Sequence, residues 1–306
     1  MTKKTIRIGT QTNALALAQT QCVIDSLAGF YPEHRFQMVG ISSAEEQEIN
    51  EVLTASQERV FSTKKLEKAL LDQMVDLAVH SLSDLPPVLT EGLSLGLVGW
   101  REEIHDVLVS LSGYTIHSLP RQAKVGVDSA AKRAQLLRLR QDMDVIFLPD
   151  SIENQLQRLE TGRYEAIILA GADLKRLQIT KYPRTNLSVE LFLPAPGQGA
   201  LAVEIRMDDS AMGKLLSPWQ DTAIQAAIQA ERALMAQLAE ECDAPMAALG
   251  SVRGGVLTLQ GAVFSPDGSR YYDLTLSGRL EEAEHLGFQL GLVLLEHGAR
   301  GLRLTD

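Results

Sequence analysis

Aromatic residues make up only 5% of this 306-residue chain, which disfavours the stacking platforms that hold single-stranded nucleic acid. A basic excess is missing too. Lys and Arg number 29 against 39 Asp and Glu, for a formal net charge of −10. That balance argues against a broad phosphate-binding face, while a local basic pocket stays open. Cysteine is nearly absent: Cys22 and Cys242 lie far apart, with no CxxC or metal-ligand spacing, so neither a disulfide framework nor a metal site is expected. Apolar runs such as residues 166–172 are far too short to cross a bilayer, and Met1–Thr5 leads straight into a strand pattern without an apolar signal segment. Glycine-rich phosphate loops and Ser-His-Asp arrangements are also lacking. The expectation is a reduced, cytoplasmic protein that engages neither nucleic acid nor membrane.

What is present is an ordinary globular composition, 45% hydrophobic and 22% charged, over a length that implies two or three domains. Strand patterns at 6–10, 35–41, 77–79, 93–98, 106–110, 124–127, 145–148 and 166–170 alternate with helical patterns at 14–30, 63–73, 130–140 and 151–161. Such alternation predicts mostly parallel sheets. Residues 194–199, Pro-Ala-Pro-Gly-Gln-Gly, form the densest turn cluster and read as a crossover or hinge around Gln198. A long helix at 221–238, strands near 256–264 and 271–277, and a helix at 281–297 follow. The predicted architecture is two α/β lobes (residues 1–99 with 196–216, and 100–195) plus a smaller α+β domain at 217–306.

In order and spacing, several segments resemble the porphobilinogen deaminase (hydroxymethylbilane synthase) family over nearly the whole chain. They are Ile8-Gly9-Thr10 with Leu15-Ala16 and Gln19, Phe61 with Lys65-Leu66-Glu67, and Asp76–Pro86. Further along come Arg101-Glu102, Tyr164–Ala170 with Leu174–Leu177, Leu193–Ala195 with Gly197–Ala200, Ala230–Arg232, and Cys242 with Pro245. The resemblance implies two lobes of the type II periplasmic-binding-protein kind around a cleft, plus a C-terminal domain. It also implies a dipyrromethane cofactor on Cys242, Asp84 as the catalytic carboxylate, and a monomer acting on a pyrrole.

The chain departs from that family where the family carries cations for the substrate's carboxylates. Gln11 and Asn13 stand for an Arg and a Ser, and Ser83 stands for the Lys beside Asp84. Thr54 and Glu58 stand for two loop lysines, with Arg59 as a nearby substitute. Gly126–Lys132 reads Gly-Val-Asp-Ser-Ala-Ala-Lys in place of Gly-Thr-Ser-Ser-Leu-Arg-Arg, so Asp128, Ser129, Lys132 and Arg133 become the candidate ligand residues there. Pro149 and Gln155 fall where arginines stood, Asp150 falls between them, and Glu240, Glu241 and Asp243 flank Cys242.

Each residue also has a plainer reading. Asp84 caps a turn before Pro86, Asp128 is a helix N-cap, and His80 is a satisfied core histidine. Lys175-Arg176 and Arg138–Arg140 are solvated faces. Three functions follow: an orthodox deaminase, a diverged enzyme on a smaller or less anionic ligand, or a non-catalytic two-lobed binding protein. In the diverged and non-catalytic cases no cofactor is required.

Overall fold

The computed structural model describes residues 4–41, 55–219 and 221–302, without the side chains of 55–62 and 97–99. In chain order, β1 (Thr5–Thr10), α1 (Ala14–Phe30), β2 (Arg35–Gly40), α2 (Ala55–Leu71), β3 (Leu77–Ser81) and β4 (Leu93–Arg101) come first. Then follow β5 (Asp106–Val109), β6 (Lys124–Val127), α3 (Ala130–Leu139), β7 (Asp144–Phe147), α4 (Ile152–Glu160), β8 (Ala166–Ala170), α5 (Gly171–Arg176) and β9 (Arg184–Asn186). The chain continues through β10 (Ala200–Arg206), α6 (Ser210–Leu215), α7 (Thr222–Glu241), β11 (Met246–Arg253), β12 (Val256–Phe264), β13 (Tyr271–Arg279) and α8 (Ala283–Glu296).

Side-chain caps and apolar spacing explain the main helices. Asn13 accepts the Ala16 N–H at 2.9 Å and starts α1, whose buried Gln19, Thr20, Val23 and Leu27 share one face. Ser129 and Ser151 start α3 and α4 in the same way. Strands β3 and β8 are buried almost throughout, as central strands covered on both faces must be.

Two compact units result, Met1–Arg101 with Ala200–Asp221 and Glu102–Gly199 with Thr222–Asp306. The first is built on a five-stranded sheet of order β2-β1-β3-β10-β4, and the second contains a sheet of order β7-β6-β8-β5-β9. These sheets follow one plan. In each, a strand pairs in parallel with two neighbours (β1 with β2 and β3, β6 with β7 and β8). In each, an antiparallel strand then enters from elsewhere in the chain, β10 beside β3 and β5 beside β8. The units divide at 101/102, 199/200 and 221/222.

The C-terminal part is a separate antiparallel sheet, β11-β12-β13, with α7 and α8 packed on one face around Leu234, Leu290 and Leu294. Gly287 of α8 sits against the Ala230 carbonyl of α7, and a Cβ there would collide with it. The opposite sheet face supplies Ala247, Ala262 and Phe264 to a cluster with Ala134 and Leu193, so this domain and the second lobe form one unit. One sequence expectation changes: residues 55–59, read as loop, belong to α2. Thr54 and the side chains of Glu58 and Arg59 lie outside the described residues.

Candidate active site and its charged groups

In the first unit, Asp84 stands at the carboxyl end of β3, where β3 passes into a single 3-10 turn, Leu82–Asp84. Leu82 and Leu85 are buried on either side of it, and the Leu85 N–H closes the turn onto the Leu82 carbonyl at 3.2 Å. These anchors leave Ser83 exposed and Asp84 half-buried. Gln11 and Asn13 follow β1, the parallel neighbour of β3, so four of the predicted residues, with Ser83 and Asp84, share the strand ends where open α/β sheets bind ligands. Asn13 is largely committed: its oxygen caps α1, and its amide nitrogen donates to Gln11 Oε1 at 3.0 Å. Ser83 Oγ lies 3.2 Å from Ser81 Oγ. No cation stands at Ser83 itself. Behind the turn, His80 Nε2 is 2.9 Å from Glu204 Oε2, with both side chains buried.

The second unit gathers most of the remaining candidates at the end of β6. Ser129, and not Asp128, caps α3, accepting the Lys132 N–H at 3.2 Å. The N-cap reading of Asp128 is therefore corrected; its carboxylate is spent on a side chain. Lys132 Nζ lies 2.9 Å from Asp128 Oδ1, 3.0 Å from Asp128 Oδ2 and 3.1 Å from Asp106 Oδ1. Side-chain exposure rises outward through the three, from 1% for Asp106 to 7% for Lys132 and 28% for Asp128. Burial pushes the Asp106 carboxyl up, and the pull of Lys132 and Gln198 does not overcome it. Burial also opposes the Lys132 charge, but the two carboxylates outweigh it and hold the ammonium above its ordinary range. The triad carries two acids to one base.

Arg133 turns away from that triad and donates to the Pro266 carbonyl at 2.6 Å. Gln198 is buried and its amide donates to the Ile104 carbonyl at 2.9 Å, between Gly197 and Gly199, which both take positive φ. Other cations expected on solvated faces are also engaged. Arg176 is buried and donates to the Gly199 carbonyl at 2.8 Å. Arg140 bonds the Ile116 carbonyl and Asp142, whose carboxyl its guanidinium holds down at about 2. Arg138 lies 3.9 Å from the centroid of the Tyr271 ring. Asp150 is 2.9 Å from Arg158.

Buried carboxylates that the sequence analysis did not single out include Asp106, Glu204 and Glu231. Asp106 heads the wholly buried strand Asp-Val-Leu-Val, and a charge in such a run requires a partner. Glu231 accepts the N–H groups of Gly197 and Gly250, each at 2.6 Å, which ties the 194–199 crossover to β11. Its signal was an acid on the apolar face of α7, among Ala227, Ala230 and Leu234.

Cys242 directly follows α7, its N–H bonded to the Leu238 carbonyl. It lies in the short connection between α7 and β11. The residue is 3% exposed within the C-terminal core, and its thiol points at two carbonyls, Ala299 at 3.3 Å and Leu302 at 3.7 Å. Among the described residues, no group of three or more His, Cys, Asp or Glu could hold a metal. No helix among them is long and apolar enough to cross a membrane.

Comparison with known proteins decides the family. Residues 6–214 match the domain described as "Porphobilinogen deaminase, dipyromethane cofactor binding domain", and residues 225–296 match "Porphobilinogen deaminase, C-terminal domain". The chain belongs to the porphobilinogen deaminase family. Similar relatives include the porphobilinogen deaminases of Desulforudis audaxviator (38% identical, covering 97% of this chain and 96% of that one) and Carboxydothermus hydrogenoformans (37%, 97% and 96%). Among solved structures, an arginine-specific periplasmic binding protein of Salmonella typhimurium aligns at 14% identity and TM-score 0.41, over 71% of this chain and 91% of that one. The BenM effector-binding domain with benzoate aligns at 12% and 0.43, over 72% and 91%.

The family's cofactor can be tested against these residues. A dipyrromethane on Cys242 needs an open path at sulfur and cations for its carboxylates. Here the sulfur is enclosed by Ala299 and Leu302, and the Lys132 ammonium is already enclosed by aspartates. In this arrangement the group does not fit.

Proposed function

We propose that this protein is a diverged member of the porphobilinogen deaminase family that binds a small, weakly anionic ligand, such as one pyrrole, at Asp84. On this reading it polymerises porphobilinogen poorly or not at all. The observation that carries the proposal is the state of Lys132, whose ammonium is spent on Asp106 and Asp128. A linear tetrapyrrole is a polyanion, and each enclosed carboxylate without a partner costs several kcal/mol. Charge-assisted hydrogen bonds of roughly 1.5–3 kcal/mol each would normally offset that cost. Loss of cations at Gln11, Ser83 and Ala131, and the internal use of Arg133, remove several such bonds together.

Asp84 can still act chemically. A half-buried carboxylate at a strand end stabilises a positive charge developing on a pyrrole nitrogen and can pass its proton. The reading describes a cytoplasmic monomer that meets a small molecule, without nucleic acid or membrane, in keeping with the net charge of −10.

An orthodox hydroxymethylbilane synthase is the second reading, favoured by 38% identity to a named deaminase over 97% of the chain and by the retained Asp84 and Cys242. Incubating purified protein with porphobilinogen separates the two. The proposal expects no linear tetrapyrrole at family-like turnover and an intact mass without an adduct on Cys242. Family-like turnover would sink it. An Asp84→Asn variant that binds the ligand found as well as the parent, with no turnover in either, would instead favour the non-catalytic binding protein.

A further inference from the structure

The family's attachment cysteine is covered from within its own domain, and the cover has a distinct construction. After α8, Gly298 takes φ 123° and turns the chain back through a 3-10 turn, Ala299–Gly301. Ala299 and Leu302 are fully buried in the same cluster as Cys242, and their carbonyls face the sulfur. Between them, Arg300 points outward and forks onto Glu241, the residue before the cysteine, with Nε–Oε2 at 2.7 Å and Nη2–Oε1 at 3.3 Å. Both partners of this pair are substantially exposed, at 56% and 36%.

We propose that the 298–302 turn is a hinged cover over Cys242, latched by the Glu241–Arg300 pair, and that any chemistry at the thiol requires this turn to lift. The inference does not rest on the substrate reading above; it concerns access to the sulfur alone. The hinge is Gly298, where a Cβ would strike the Tyr272 ring. The latch is weak by construction, because an exposed ion pair holds little even with forked geometry. The seal comes from burying Leu302 and Ala299, which keeps the open form a minority state.

Maleimide labelling of the native protein, read at Cys242 by peptide mass mapping so that Cys22 does not interfere, tests the cover. The native thiol should react on the order of a hundredfold more slowly than in urea-unfolded protein, since a buried leucine must be exposed first. Arg300→Glu should raise the native rate about threefold or more at unchanged melting temperature. The exchanged pair, Glu241→Arg with Arg300→Glu, should slow it again, which a merely loosened fold would not do. The proposal is overturned if the native thiol labels as fast as the unfolded one. It is equally overturned if labelling tracks global unfolding in every variant, or if the exchanged pair fails to restore protection.

Discussion

The two five-stranded sheets share a plan but set different side chains beside their buried acids. In the first, the inserted strand β10 carries Glu204, which meets His80 on the adjacent strand β3. In the second, the inserted strand β5 carries Asp106, which meets Lys132 on the helix after β6 and a second acid, Asp128, outside it. A histidine can satisfy one carboxylate as a hydrogen-bond donor, charged or not. A lysine held between two carboxylates is different: its charge is fixed and over-matched. The contrast teaches that a basic residue retained at a family position is not thereby an available cation. Lys132 is present in the sequence, but its ammonium serves the protein's own acids.

The comparison can be broken most forcefully at Lys132. Lys132→Met leaves Asp106 buried beside Asp128 without a counter-charge, so urea unfolding should report a loss of about 3–5 kcal/mol. His80→Leu should cost less, about 1–3 kcal/mol, because a single acid left behind is stranded without a like-charged neighbour. Equal losses at the two sites would erase the distinction.

A smaller effect comes from pH. Burial alone would raise the Asp76 carboxyl, but hydrogen bonds from Arg7 outweigh it and hold the group below its ordinary value. The folded state therefore gives up this proton more readily than the unfolded chain does. The stabilisation is complete above the unfolded value of about 3.9 and is lost as pH falls through the folded one. Asp76→Asn should flatten that part of the acid unfolding curve while leaving the curve near neutrality parallel to the parent.

Much of the fold was legible. Buried runs such as 77–79 and 166–170 marked central strands, and helical spacing over 130–140 and 151–161 marked α3 and α4. β9, three polar residues, was missed because its pairing with β5 defines it and its own pattern does not. The site was legible only in part. Asp84 was found because a strand ends on it, and the Asp128–Lys132 pair had the spacing of helical neighbours. Asp106 joins that pair through the tertiary fold, from a strand before β6, and no local pattern announces it. The enclosure of Cys242 by residues 298–302 was not legible, because those residues are distant in sequence.

The central claim is that Asp128 occupies the place on Lys132 that a ligand carboxylate would take. Titration calorimetry of porphobilinogen and succinate against the parent and Asp128→Ser tests it most directly. The account predicts binding about tenfold tighter in the variant, the worth of one recovered charge-assisted bond, and loss of that gain when Lys132→Met is added. A folded Asp128→Ser protein that binds neither carboxylate more tightly than the parent would contradict it.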